Sequence, residues 1–322
     1  MVSHISILPK ALLDALSAKL SQESDATIRS HLWFLRLPHP RTGFLSLFLP
    51  TLSPNGSSIL ELQSVSPNSS RSWFNNGEIL LADGSMLLMT PIDPVFLLVP
   101  ILKASSPHDG SLGNFRTLDD ILEGASANLA KDENVEGLNP GDILELGRLP
   151  CVQEGMRRIC DTKEIAFDLV VFRYSHSKFL EYLIKKANRL GKGSTVPESR
   201  TLERELAKDD LMDDGKEELL ISGRLKLACD LISQYVSPEV HGELLSKFDF
   251  SALTKHIASL EQMDLANTTT ITNGNAQKVQ ISEDKNGKKR KVTGPESAGV
   301  AKLKKVNTKG MAKLSSFFQK KS

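Results

Sequence analysis

The sequence predicts an α+β protein: a small antiparallel β-barrel or sheet open to completion by a partner subunit, a mostly α-helical unit, and a disordered basic tail. Three observations predict it. Short apolar runs recur between turn residues from His31 to Thr90, and apolar residues at helical spacing follow from Asp93 to Met263. Beyond Asn267 large apolar residues nearly vanish while lysines accumulate, a composition that cannot bury enough surface to offset chain entropy. With 322 residues, 40 % of them hydrophobic, the chain can build a real core.

The strands come first. Trp33, Leu35 and Leu37 alternate with outward positions, and Phe44–Leu49, Ile59–Val65, Ile79–Ala82 and Met86–Thr90 follow. Pro38–Gly43, Pro50–Ser58, Pro67–Ser70 and Asp83-Gly84 separate them, and Asp83-Gly84 is the best hairpin turn among these. About five short strands leave open edges whose N–H and C=O groups seek another chain. At Asp93-Pro94 the pattern changes: Asp93 can cap a helix whose first turn tolerates Pro94. The run Val95–Ile101 has no polar face, so this helix should be buried on most sides, kinked or ended by Pro100. It closes a first domain, 1–104.

The second domain, 105–265, starts loop-rich over 105–145, with one short helix at Thr117–Glu123. A helix near Val152–Ile159, a strand-like run at Ile165–Phe172 and a helix from His176 to Leu190 come next. Ser175 caps that last helix, and Gly191 stops it. Acidic Glu203–Glu218 reads as a solvated connector, and helices follow at Leu219–Val236, after Ser237-Pro238-Glu239, and at Leu253–Met263. Residues 266–322 form the tail.

Net charge is +1, but it is unevenly placed: residues 285–322 hold twelve Lys or Arg and one acid, Glu296, leaving 28 basic against 38 acidic residues elsewhere. An acidic body argues against broad nucleic-acid binding by the folded surface and leaves that role to the tail, a local patch or a partner. Three cysteines, Cys151, Cys160 and Cys229, with no CxxC pair, indicate a reducing compartment and no structural zinc. No secretory signal and no membrane span are expected.

Catalytic motifs are missing. Gly191-Lys192-Gly193-Ser194-Thr195 lacks the earlier glycine of a phosphate loop and follows a helix, so a helix end explains it better. Asp119-Asp120, Asp209-Asp210 and Asp213-Asp214 could in principle hold Mg²⁺, which would make the chain a nuclease itself, but their setting suits solvated charge. The dispersed histidines, His176 and His241 among them, have no ligand partner in range. No catalytic residue, cofactor or metal is therefore expected in this chain.

Two tail features point outward. Lys288, Lys289, Arg290 and Lys291 suit a nuclear-import run. Met311, Leu314, Phe317 and Phe318 converge on one side of a single helical turn, and an exposed aromatic pair ending a polar tail marks a docking peptide. A free-standing nuclear adaptor with such a peptide is one reading of the whole.

The tail resembles the peptides that dock on the replication sliding clamp PCNA, with Met311 where Gln is usual. The body is similar to the B subunits of eukaryotic type 2 ribonuclease H: Ser72-Trp73-Phe74, Thr90-Pro91-Ile92-Asp93-Pro94-Val95-Phe96-Leu97-Leu98, Lys103-Ala104, Tyr174-Ser175, Leu231-Ile232-Ser233-Gln234-Tyr235 and Pro238-Glu239 fit in order. The resemblance runs in pieces from about residue 31 to 250. It implies a non-catalytic subunit of a heterotrimer with a catalytic A subunit and a small C subunit, acting on RNA–DNA hybrids and on ribonucleotides in DNA. It also implies a barrel interlaced with the C subunit, Mg²⁺ and its carboxylates on the A subunit, and an interface or core role for Trp73, Phe74, Pro91, Asp93, Pro94, Phe96, Leu97 and Leu98.

Overall fold

The computed structural model describes residues 4–21, 33–53, 56–69, 71–75, 78–81, 84–107, 113–132, 135–166, 169–193 and 195–273. Residues 1–265 form one unit and 266–322 a second, of which the end of one helix is described.

Five strands make the main sheet: β1 (Ser6–Ile7), β2 (Leu35–Pro38), β3 (Leu45–Ser53), β4 (Gly56–Val65) and, after the small pair β5 (Trp73–Asn75) and β6 (Glu78–Leu81), β7 (Met86–Ile92). The order is β1-β7-β4-β3-β2, antiparallel except for β1, which runs parallel to β7 at Leu87 and Leu88. Among the described residues the sheet does not close into a barrel. Strand alternation sorts its side chains: Leu35, Leu37, Phe48, Ile59 and Ile92 join the large core, while Leu49 and Leu60 pack with Leu12 of α1 (Lys10–Ser21) in a smaller one. Trp33 lies outside β2 and is exposed. Asp83 is outside the described residues; the strands flanking Asp83-Gly84, β6 and β7, fall in different sheets and so do not pair as the expected hairpin.

The helix after Asp93, α2 (Pro94–Ser105), is buried from Val95 to Leu102 apart from Pro100, and Asp93 caps it by accepting from the Val95 N–H at 3.1 Å. The helix does not end at Pro100 but runs on to Ser105, with Val99, Ile101 and Leu102, all buried, holding both neighbouring turns in the core. The supposedly loop-rich stretch contains α3 (Leu118–Leu129), capped by Thr117, and α4 (Pro140–Gly147), capped by Asn139. Polar composition hid them, since each buries only one narrow stripe, Ile121, Leu122, Ala125 and Leu129 in the first, Ile143 and Leu146 in the second.

Next come α5 (Pro150–Ile159) and a hairpin of two strands where one was expected, β8 (Cys160–Ala166) and β9 (Leu169–Tyr174). Arg116 forms an isolated antiparallel bridge to Phe172 and so sets a third segment against the hairpin at one residue. The Ser175 hydroxyl caps α6 (His176–Lys192), which ends one residue past Gly191, a glycine that lies against the backbone of Arg224 and Leu225. The acidic connector is folded: α7 (Thr195–Glu198) and α8 (Arg200–Lys208) lead to α9 (Glu217–Ile232), and Leu206 and Leu211 are buried with Val196, Ala228 and Leu253 in a satellite core. A 3-10 turn (Ser233–Tyr235), α10 (Pro238–Leu245) and α11 (Ser251–Asn273) complete the described chain. α11 extends beyond Met263 and beyond Asn267, where disorder was expected to begin.

Candidate functional site

Where the sheet meets the helices, two acids organise a polar junction inside an apolar core. β7 ends at Ile92, so Asp93 stands at the start of α2 facing α6. Its Oδ1 accepts from the Val95 N–H, and its Oδ2 accepts from the Tyr182 hydroxyl and the Lys186 ammonium, all part-buried. Burial pushes the Asp93 carboxyl up, but the Lys186 charge and these donors outweigh it and hold the pKa below the ordinary value. The same geometry raises the Tyr182 phenol to about 12, through burial first and then the Asp93 carboxylate it donates to.

Glu61 on β4 is the second acid, 3 % exposed in the run Ile59–Leu62. It accepts from the Tyr235 hydroxyl at 2.9 Å, and the His39 Nε2 stands 3.4 Å from its other oxygen. Burial raises its pKa, yet hydrogen bonds from His39, Tyr235 and Gln63 bring it below the ordinary value. Tyr235 stacks on Phe96 at 5.3 Å and on His39 at 5.9 Å, so one ring column ties β2's end, α2 and the end of α9 together. A shallow cavity of about 220 Å³ lies beside it, lined by Pro91, Asp93, Phe96, Lys186, Leu231 and Tyr235 among others.

The block singled out from sequence therefore divides. Phe96, Leu97 and Leu98 are core; Asp93 is the polar anchor and Pro94 the first residue of α2. Trp73 is half-buried, its indole N–H donating to the Gly84 carbonyl at 3.0 Å, and Phe74 and Pro91 are exposed. Phe74, at 64 % exposure, is one of several exposed apolar residues in the N-terminal part, with Ile7, Trp33, Phe34, Phe44, Leu47 and Val65. Sequence reasoning missed Glu61, Tyr182, Lys186 and Tyr235 as a set. Only an acid inside an apolar strand, Glu61, could have signalled them. Lys288, Lys289, Arg290, Lys291, Met311, Leu314, Phe317 and Phe318 lie outside the described residues.

The bonds of this junction tie β4, the start of α2, α6 and the turn after α9 together. Asp119 and Asp120 occupy the first turn of α3, where acids favour the helix dipole, and Asp213 pairs with Lys216. No group of three or more His, Cys, Asp or Glu converges among the described residues. Burial lifts the thiols of Cys160 and Cys229 to about 12, so neither is a nucleophile at neutral pH. No described helix is long and apolar enough to cross a membrane.

Comparison with known proteins agrees with this division. A family model described as the Ydr279p protein triple barrel domain matches residues 16–93, and one described as the Ydr279p protein family (RNase H2 complex component) wHTH domain matches residues 96–245. The ribonuclease H2 B subunit of Xenopus laevis is 27 % identical over 321 residues, 96 % of this chain and 92 % of the relative. The B subunit of Xenopus tropicalis is 27 % identical over 327 residues with the same coverage, and that of Schizosaccharomyces pombe is 25 % identical over 313 residues, 89 % of this chain and 94 % of the relative. With the open sheet in the first matched segment, the helices and hairpin in the second, and relatives aligned along nearly the whole length, the chain belongs to the Ydr279p family of ribonuclease H2 complex components.

Proposed function

We propose that this chain is the non-catalytic B subunit of a nuclear ribonuclease H2 heterotrimer. In this reading it joins the catalytic A subunit and the C subunit, supports cleavage of RNA in RNA–DNA hybrids and of ribonucleotides misincorporated in DNA, and recruits the complex to the sliding clamp PCNA. The observation that carries it is the open sheet: β1 covers only Leu87 and Leu88 of β7, while Phe44 and Phe74 stand 61 % and 64 % exposed. Open edges and exposed aromatics are what a sheet completed by another subunit presents before assembly. The Mg²⁺ and its carboxylates belong, in this reading, to the A subunit.

Co-expression with the A and C subunits is expected to give one stable complex that cleaves hybrid, and omission of this chain to abolish assembly. A folded monomer that ignores both subunits, with cleavage intact in its absence, would favour a free-standing clamp adaptor. For the tail, full-length chain is expected to bind PCNA and to lose binding with Phe317→Ala and Phe318→Ala; equal binding by both forms removes the clamp from the proposal. Alanine at Lys288, Lys289, Arg290 and Lys291 is expected to shift the tagged chain from nucleus to cytoplasm.

A further inference from the structure

The body of the chain is acidic, yet one groove in it is not. Between α5 and α6 lies a cavity of about 550 Å³ lined by Arg157, Arg158, Lys178, Lys185, Lys186 and Arg189, with Tyr182 and a single acid, Glu181. The cations come from two elements. Arg157 and Arg158 end α5, while Lys178, Lys185 and Arg189 recur at helical spacing on α6, opposite its buried stripe of Phe179, Leu180, Leu183 and Ala187.

Internal pairing accounts for half of them. Lys186 is held by part-buried Asp93, Lys178 by Asp161 at 3.0 Å, and Arg158 by Glu154 one turn earlier. Arg157, Lys185 and Arg189 are exposed and make no ion pair among the described residues. Three unpaired cations facing one groove repel each other unless an anion joins them. Arg157 also lines a second depression of about 360 Å³ with Thr162, Glu164 and Val170, which carries the surface onto the β8–β9 hairpin.

We propose that this groove binds the sugar-phosphate backbone of a nucleic-acid duplex through Arg157, Lys185 and Arg189. Protein interfaces centre on apolar and aromatic residues and shed charge from their core. This lining is the reverse: six cations, one acid and one tyrosine. Nucleic-acid interfaces are polar and strongly positive, and arginine forks grip phosphate oxygens in pairs. Contacts of this kind set position on the duplex and read no base sequence. The site goes beyond the role proposed above, since it lies on this chain itself; its failure would leave subunit assembly untouched.

The test is anisotropy of a short labelled DNA duplex, and of an RNA–DNA hybrid of the same sequence, titrated with full-length chain across a range of salt. The basic tail is present in both forms and its contribution cancels, so the comparison is with Arg157→Ala/Lys185→Ala/Arg189→Ala, whose alanines suit exposed helix positions. Loss of three phosphate contacts is expected to weaken binding about tenfold or more and to flatten the log–log salt slope by about 2 to 3 for either duplex. Arg157→Lys/Arg189→Lys, which keeps the charge, is expected to keep the slope. Unchanged affinity and slope in the triple variant would overturn the proposal. So would polyglutamate binding as tightly as the duplex with the same loss in the variant, which would assign the groove to an acidic protein.

Discussion

Asp93 performs three tasks with one carboxyl group: it caps α2, neutralises Lys186 and accepts from Tyr182. Removing one partner of an enclosed ion pair leaves the other charge uncompensated, and losing the cap adds to that. Asp93→Ala is therefore expected to cost about 3 kcal/mol or more in urea unfolding, and Asp93→Asn less, because the amide oxygen can still cap. Asp93 and Glu61 both lie below their ordinary values of 3.8 and 4.5. A carboxyl depressed in the folded state contributes stability that is whole above its unfolded pKa and is lost as pH falls through the folded one. The Tm is thus expected to hold from neutral pH down to about 5 and to drop below about 4. A combined Asp93→Asn/Glu61→Gln variant should be less stable at neutral pH and show a shallower drop. An equally steep drop in that variant would place the acid sensitivity elsewhere.

At the scale of elements, close approach decides what composition does not. A Cβ at Gly191 would stand 3.2 Å from the Leu225 Cα and 3.4 Å from the Arg224 carbonyl oxygen, both backbone atoms of α9 that cannot swing aside. Gly191 thus lets α6 and α9 touch one residue before α6 ends at Lys192, close to the helix stop that the sequence suggested. Gly191→Val is expected to force them apart at about 1–3 kcal/mol, read as a lower denaturant midpoint with an unchanged slope. A variant as stable as the parent would mean that the helices are free to separate. The acidic segment teaches the same lesson, since Leu206 and Leu211 are buried beneath a charged exterior. Pro100 shows it from the other side: burial of its neighbours outweighs one missing helix hydrogen bond.

At the scale of the molecule, one continuous core runs from Leu35 on the sheet to Leu244 on α10, so the N-terminal sheet is packed on one face by the helices that follow. Phe34, Phe44, Leu47, Val65 and Phe74 are among the exposed apolar residues, and apolar surface on the sheet part that the fold itself does not cover is available to a partner. Phe44→Ser/Phe74→Ser is expected to change the chain's own stability by no more than about 0.5 kcal/mol. The same variant is expected to weaken co-purification with the A and C subunits by at least about tenfold, as loss of aromatic anchors does. Intact assembly would move the interface away from these rings.

Periodicity and capping residues were enough to place β3, β4, β7, α2, α5, α6 and α10, because alternation, Asp93-Pro94, Ser175 and Ser237-Pro238 act over a few neighbouring residues. The blocks from Ser72 to Glu239 were enough to indicate the family. α3 and α4 as full helices, α8 and the second strand of the β8–β9 hairpin were not legible, since narrow apolar stripes in polar sequence acquire meaning only from what covers them. The separation of Phe74 from Phe96, one exposed and one buried, was equally hidden: both are aromatics in blocks that carry the family resemblance, and only packing tells them apart. The polar junction required tertiary structure most of all, because Glu61 meets Tyr235 and Asp93 meets Lys186 across separations of 174 and 93 residues. Local chemistry in the chain determined the elements with clear caps and periodicity; which charges find partners, and which three at the α5–α6 groove make no ion pair among the described residues, was decided only when distant segments packed together.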